Sequence, residues 1–254
     1  MEKNNHVQSV DRALDIIEVL AINPEGIGVT DLADSVDLHK STVHRLLGTM
    51  AARGYVEKTE TGMYKIGIKL IGAVSCYINS LELQTEARPY LARMTGDLGL
   101  TAHLGILDGD KAVYVEKIDV ISSVKFYSQI GLHVPAQCSS LGKCILAKYS
   151  REELFQVMKG CSFISYTENT ITDMEALNKE IVSVRERGWG MDDEEFELGN
   201  RCIGAPIYDY RGDIIAAISA SGTTRVLTKE RIEEVSAYVM NIAKEISKEM
   251  GYSE

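Results

Sequence analysis

Between His39 and Leu47 the chain reads HKSTVHRLL, which gathers two imidazoles, an ammonium, a guanidinium and two hydroxyls with no acid among them. Such groups donate hydrogen bonds to phosphate oxygens and to base edges, the chemistry of nucleic-acid recognition. The chain as a whole is acidic, with 254 residues and a formal net charge of −10. Yet from 38 to 69 six basic residues (Lys40, Arg45, Arg53, Lys58, Lys65, Lys69) face two acids (Glu57, Glu60), a local balance of +4. Positive charge is therefore focused on one face, where phosphate is met by local rather than net charge.

A second group lies in the C-terminal half: Asp192-Asp193-Glu194-Glu195, Cys202, and the pair Ser219 and Ser221. Adjacent carboxylates can act as acid and base or hold a cation, but four in a row are more commonly a solvated acidic loop. Ser219 and Ser221 alternate along a strand and so share one face, either of a binding pocket or of an exposed edge strand. An enzyme working on a small acid, with Asp192 as base and Cys202 as nucleophile, is one alternative. No histidine in that segment would activate the thiol, and four acids would raise its pKa. The chain has no G-x-S-x-G, no G-x-G-x-x-G and no P-loop, and histidines 6, 39, 44, 103 and 133 lack metal-ligand spacing. No catalytic residue, metal or cofactor is expected.

The elements that must position these groups follow from periodicity. Val10, Leu14, Ile17, Leu20 and Ala21 predict a first helix ending near Asn23-Pro24-Glu25-Gly26. Thr30 is placed to cap a second helix over 31–36, and a third runs from about His39 to Arg53, stopped by Gly54. In the third helix Val43, Leu46, Leu47 and Met50 form the packing face, while Ser41, His44, Arg45 and Gly48 fall opposite. Lys40 and Thr42 sit in its first turn, where amides attract phosphate. A hairpin over 55–58 and 63–66 turns at Gly62 and carries Lys58 and Lys65. These features predict a winged helix-turn-helix over 1–67 that binds DNA, with a merely solvated helix face as the bland reading and a winged-helix protein-interaction module as the main alternative.

Residues 68–98 read as helical, with 68–82 a stiff linker and a break or fresh start near Arg88-Pro89. From Thr101 the period becomes that of strands: 103–107 and 112–118 around Asp-Gly-Asp-Lys, 124–130, then 202–208 and 214–220 around Tyr-Arg-Gly. Helices are expected over 141–148, after a Ser150-x-x-Glu153 box, after a Thr172-x-x-Glu175 box and ending at Gly188, and from Thr228 to Gly251. The expected class is α+β, with an antiparallel sheet and helices over 83–254.

VQSVDRALDIIEVL, TDLADSVDLHKSTVHRLLGTMAARGYVEK and YKIG resemble the winged helix-turn-helix of IclR-type bacterial transcriptional regulators. VPAQCSSLGKCILA and RERGWGMDDEEFELGNRCIGAPIYDYRGDIIAAISASG extend the resemblance through the second half. It implies a GAF-like effector-binding domain, operator DNA as partner, a homodimer, and often a dimer of dimers. It further implies a pocket for a small carboxylate. Backbone amides of Ser140 and Leu141 would hold the carboxylate, Asp192, Cys202, Ser219 and Ser221 would supply polar groups, and Ser123 and Phe126 would line the wall. Ser140-Leu141 stands where family members that take two- to three-carbon oxoacids often carry Gly-Ala. LGILDGDKAVYVEKID, VKFYSQIG, ERGWGMDDEE and KEISKEMGY are similar to repressors of pectin and hexuronate breakdown that sense 2-keto-3-deoxygluconate.

The five cysteines are odd in number and lack C-x-x-C spacing, so a disulfide scaffold is not expected and a reducing cytoplasm fits. No apolar run suits a bilayer span and the first residues lack the apolar core of a secretory signal, so no membrane role is expected.

Overall fold

The computed structural model describes residues 7–70, 72, 82–120 and 128–253. The chain divides into two compact units, 1–80 and 81–254.

The first unit holds α1 (Gln8–Ala21), α2 (Val29–Ser35), α3 (Lys40–Ala52), β1 (Val56–Lys58) and β2 (Tyr64–Ile66). The apolar stripes of the three helices bury Ile16, Leu20, Leu32, Val43 and Leu47 completely, and Val56 and Tyr64 close the core from the hairpin. Each such aliphatic side chain stabilises the unit by about 1.5–3 kcal/mol. Gly62 turns the hairpin at φ +83° and Gly54 stops α3 at φ +77°. Thr30 does not cap α2: the helix starts at Val29, two residues earlier than expected, after Gly28. Ile27 exchanges two backbone hydrogen bonds with Tyr64, each 2.9 Å, which holds the chain extended up to that point. Between α2 and α3, Asp37 adopts φ +51°, and Leu38 N–H bonds back to the Ala33 carbonyl at 3.0 Å. That tight turn sets α3 across α2. The expected linker over 68–82 lies largely outside the described residues.

In the second unit six antiparallel strands form one sheet in the order β5-β4-β3-β8-β7-β6. They are β3 (Thr101–Asp108), β4 (Lys111–Ile118), β5 (His133–Pro135), β6 (Gly190–Asp193), β7 (Asn200–Tyr208) and β8 (Ile214–Thr223). Helices α4 (Glu82–Leu98) and α8 (Ile232–Glu249) cover one face, through Leu91, Met94, Val239 and Ile246. Helices α5 (Ser140–Leu146), α6 (Arg151–Val157) and α7 (Met174–Arg187) cover the other, through Leu141, Ile145, Leu154 and Ile181. The α+β class and the antiparallel sheet are as the sequence predicts.

Several local expectations are corrected. Helix α4 runs unbroken through Pro89. Pro89 and Thr85, whose carbonyl loses its i+4 donor, both lie on the solvent side, where the carbonyl is open to solvent, while Leu83, Ala87 and Leu91 keep the helix docked. The Ser150–Glu153 capping box is present, but α7 is capped by Asp173, whose carboxylate accepts from Ala176 N–H at 2.8 Å, and not by Thr172. The strand expected over 124–130 falls mostly outside the described residues; Ser128 to Ile130 are loop and turn, and the next strand is β5.

Glycines on one sheet face let α5 sink onto the strands. A Cβ on Gly190 would stand 3.0 Å from the Ser140 carbonyl oxygen, and one on Gly204 3.1 Å from Ser140 backbone atoms. On Gly105 it would stand 2.9 Å from Leu141 Cδ1. The start of α5 is thus pressed against the middle of the sheet.

Candidate functional site

In the first unit, α3 presents Lys40, Ser41, His44, Arg45 and Gly48 to solvent, with Thr42 half-buried. Among the described residues no side chain caps the helix, and nothing would lie within 4 Å of a Cβ added at Gly48. The face is therefore open and rich in donors. In the hairpin, Lys58 is exposed and lies 5.5 Å over the Tyr64 ring, whereas Lys65 pairs with Glu57 at 3.4 Å. Lys58 thus offers the freer charge. This shape, a short helix pair followed by a β-wing, suits docking of α3 in a major groove.

The second unit holds a cavity of about 440 Å³ on the sheet face beneath α5. Ladder register explains its floor. Asp192, Cys202, Ser221 and Thr101 form one cross-strand row, and Gly204, Ser219 and His103 form the next. Residues in register share a face, so all the polar side chains of both rows point the same way. Ser219 and Ser221 lie on β8, a central strand, and are 2% and 4% exposed, so they are not the open side of an edge strand. Ser140, Leu141, Asp192, Cys202, Ser219 and Ser221 all line the cavity, joined by His103, Tyr114, Ser128 and Asn200. Ser123 and Phe126 lie outside the described residues.

At the cavity edge Ser139 caps α5, its hydroxyl accepting from Gly142 N–H at 3.1 Å. The amides of Ser140 and Leu141, in the first turn, have no intrahelical acceptor and are left to meet a ligand or water.

The acidic run is not a solvated loop. Each acid has a separate task. Asp193 pairs with Arg201 at 2.6 Å, and the Glu194 carboxylate accepts from Gly199 N–H at 2.7 Å. Glu194 itself turns at φ +60°, which carries Glu195 inward to an ion pair with Lys143 of α5. Lys143 is 1% exposed and also donates to the Met191 carbonyl at 2.7 Å. Thr167 and Thr170 hydroxyls donate to the Glu194 and Glu195 carbonyls, both at 2.6 Å. Asp192 accepts from Glu195 N–H at 2.8 Å and Phe196 N–H at 3.3 Å.

Burial pushes the Asp192 carboxyl up to about 7, against the pull of the Glu195 amide it accepts. Burial, reinforced by the Lys117 charge, lowers His103 to about 3, so its imidazole is neutral at physiological pH. Burial raises the Cys202 thiol, and the neighbouring Asp192 raises it further, which leaves a weak hydrogen-bonding group in place of a nucleophile.

His103, Tyr114 and Lys143 are site residues that sequence reasoning missed. His103 was legible only as a histidine without metal spacing, and Lys143 as one of many lysines. Tyr114 had no signal at all. A bulge between Leu104 and Gly105 pairs Lys117 with His103 and Tyr114 with Gly105, which puts both β4 side chains on one face despite their odd separation.

The Asp192 shift has a measurable consequence. Its native pKa lies above the unfolded value, so the folded chain holds the extra proton between about pH 4 and pH 7, and this contribution to stability is lost as pH rises through that window. Urea unfolding at pH 5 and pH 8 should therefore show a larger loss of stability for wild type than for Asp192→Asn. Equal losses in the two proteins would mean that Asp192 does not titrate there.

The comparisons decide the family. The bacterial transcriptional regulator IclR C-terminal family matches residues 75–248, and the IclR helix-turn-helix domain matches 9–60. The chain belongs to the IclR family of bacterial transcriptional regulators. It is 37% identical over 247 residues to the HTH-type transcriptional regulator KdgR of Escherichia coli, covering 97% of this chain and 94% of that protein. The IclR of Thermotoga maritima superposes with a TM-score of 0.82 at 31% identity, covering 97% of this chain and all of that one. The C-terminal domain of E. coli KdgR superposes with a TM-score of 0.62 at 37% identity, over 68% of this chain and all of that domain. This IclR-family chain is thus a DNA-binding regulator with an effector-domain fold, and it is not an enzyme. Among the described residues no helix is long and apolar enough to cross a membrane, and no cluster of His, Cys, Asp and Glu could hold a metal ion.

Proposed function

We propose that this chain is a ligand-responsive repressor of a carbon-catabolism operon, and that its cavity takes a small oxoacid or sugar acid, with 2-keto-3-deoxygluconate the first compound to test. One observation carries the reading: Ser140 and Leu141, whose first-turn amides have no acceptor within the helix, share a cavity with the hydroxyls of Ser219 and Ser221 and the carboxyl of Asp192. The amides suit the carboxylate of the ligand. Asp192, close to half-protonated at pH 7, suits its hydroxyl end, where it either accepts or donates. Cys202 fills the floor between them.

In this reading Lys40, Ser41, Thr42, His44 and Arg45 meet the operator in the groove, and Lys58 and Lys65 meet its backbone. The DNA-binding domain covers 1–67, the linker helix 68–82 and the effector domain 83–254. A homodimer, paired again as a dimer of dimers, would place two copies of α3 on a palindromic site in the cytoplasm. The effector acts by binding one arrangement of the DNA-binding heads better than the other, with a coupling of about 1–3 kcal/mol typical of such switches. The identity to KdgR along the whole chain supports the choice of first compound.

Calorimetry with a panel of small acids, in the presence and absence of the DNA upstream of the gene, tests this reading. We expect an acid of this class to bind at the cavity and to weaken operator affinity by about 5- to 150-fold. Binding of no acid, or binding without any change in operator affinity, overturns it.

A further inference from the structure

We propose that His103 sets the ligand selectivity of the cavity: clasped between two serine hydroxyls, it makes Ser221 a partner for ligand hydroxyls and so favours hydroxylated acids over plain oxoacids of the same length. The inference rests on the effector reading of the cavity and adds to it the residue that chooses among acids.

The side chain of His103 is 2% exposed and sits on the cavity floor. Its Nε2 lies 2.8 Å from Ser128 Oγ and its Nδ1 3.4 Å from Ser221 Oγ. The ring packs on Tyr114 with centroids 4.6 Å apart. Ser128 is held from a second side, since Lys117 Nζ donates to its carbonyl at 2.7 Å. Ser221 also bonds the Cys202 thiol. A chain of hydroxyl, imidazole, hydroxyl and thiol therefore runs along one wall, and its members face a common space.

A neutral imidazole has one N–H and one lone pair. When Nε2 donates to Ser128, Nδ1 accepts the Ser221 proton, and the Ser221 lone pairs are left for the cavity. The Cys202 thiol can meet one of them, and a ligand donor the other. When the tautomer is reversed, Ser221 accepts from the ring and turns its own proton to the cavity, where a ligand oxygen can accept it. A ligand hydroxyl satisfies either state, because it both donates and accepts. A methylene satisfies neither, and leaves the cavity-facing side of the buried Ser221 hydroxyl without a partner. Doubly protonated histidine would offer two donors and lose this adaptability; burial keeps the ring in its neutral form.

Two acids of equal length isolate the effect: 2-keto-3-deoxygluconate, and 2-oxohexanoate, which has the same carboxylate and keto group without the three hydroxyls. Calorimetry on the full chain is expected to show wild type preferring the hydroxylated acid. In His103→Phe, which keeps the ring against Tyr114 but removes both nitrogens, that preference should shrink by about 3- to 10-fold, the size of a neutral hydrogen bond. Affinity for 2-oxohexanoate should hold or improve. His103→Gln, which restores a donor and an acceptor, should recover part of the preference. Ser221→Ala should lose it in a protein whose histidine is intact, so a folding defect in one variant does not decide the matter. Equal preference in wild type and His103→Phe, or equal losses for both acids, overturns the role of His103 while leaving the cavity an acid site. Binding of neither acid by wild type overturns the effector reading for these compounds and this inference with it.

Discussion

Lys143→Met is expected to destabilise the effector unit by about 3–5 kcal/mol, the usual result of removing one partner of a buried ion pair. Lys143 is the largest fully buried side chain among the described residues, and it holds together three things: α5, the Met191 carbonyl within β6, and the inward-turned Glu195. Without the ammonium, Glu195 is left buried, with Oε2 already lacking a hydrogen-bond partner. Burial raises the Glu195 carboxyl while Lys143 lowers it, so the variant should take up a proton at Glu195 and regain part of its stability as pH falls. Urea unfolding across pH measures both effects. The double change Lys143→Met with Glu195→Leu should restore much of the loss, because two apolar groups leave no charge to desolvate. Equal stability of Lys143→Met and wild type would show that the pair does not tie α5 to β6. The same variant bears on ligand binding, since α5 carries the Ser140 and Leu141 amides and the turn after β6 carries the amides that hold Asp192.

Arg45→Ala should weaken specific operator binding by about 1–3 kcal/mol, roughly 5- to 150-fold, if its guanidinium reads a base edge. Arg45 is exposed on the face of α3 opposite Val43 and Leu47, so its loss should leave the fold intact. Lys159→Ala removes a comparable exposed charge from the other unit and serves as the control. Fluorescence anisotropy on the upstream DNA, with a scrambled duplex for comparison, separates base reading from phosphate attraction. A loss confined to the operator identifies base contact. An equal loss on both duplexes assigns Arg45 to the phosphates, and no loss on either means that another face of the unit meets DNA.

The amino-acid sequence by itself determined the elements that rest on local rules. The period of Val43 and Leu47 marks a helix with one apolar face; Gly54, Gly188 and Gly251 stop helices because they reach positive φ; Ser150 and Glu153 cap one another. In α1 the helix was legible but its buried face was not: Val10 and Leu14 of the expected stripe are exposed, and Ile16 is buried beside Leu20. The basic run of α3 was legible for the same reason, since charge and helical phase are both local. The resemblance of the second half to known regulators further brought Ser140, Leu141, Asp192, Cys202, Ser219 and Ser221 together as one candidate pocket. What only the tertiary structure decided is the environment of each group. Whether Pro89 breaks a helix depends on which side faces water. Whether four adjacent acids are solvated depends on Arg201 and Lys143, which are distant in sequence or on another element. Whether His103 faces a cavity depends on its register with Ser219, and whether Tyr114 joins it depends on a single bulge that shifts the register of β4 by one residue. Burial, cross-strand register and desolvation are properties of the packed sheet, and no short window of sequence carries them.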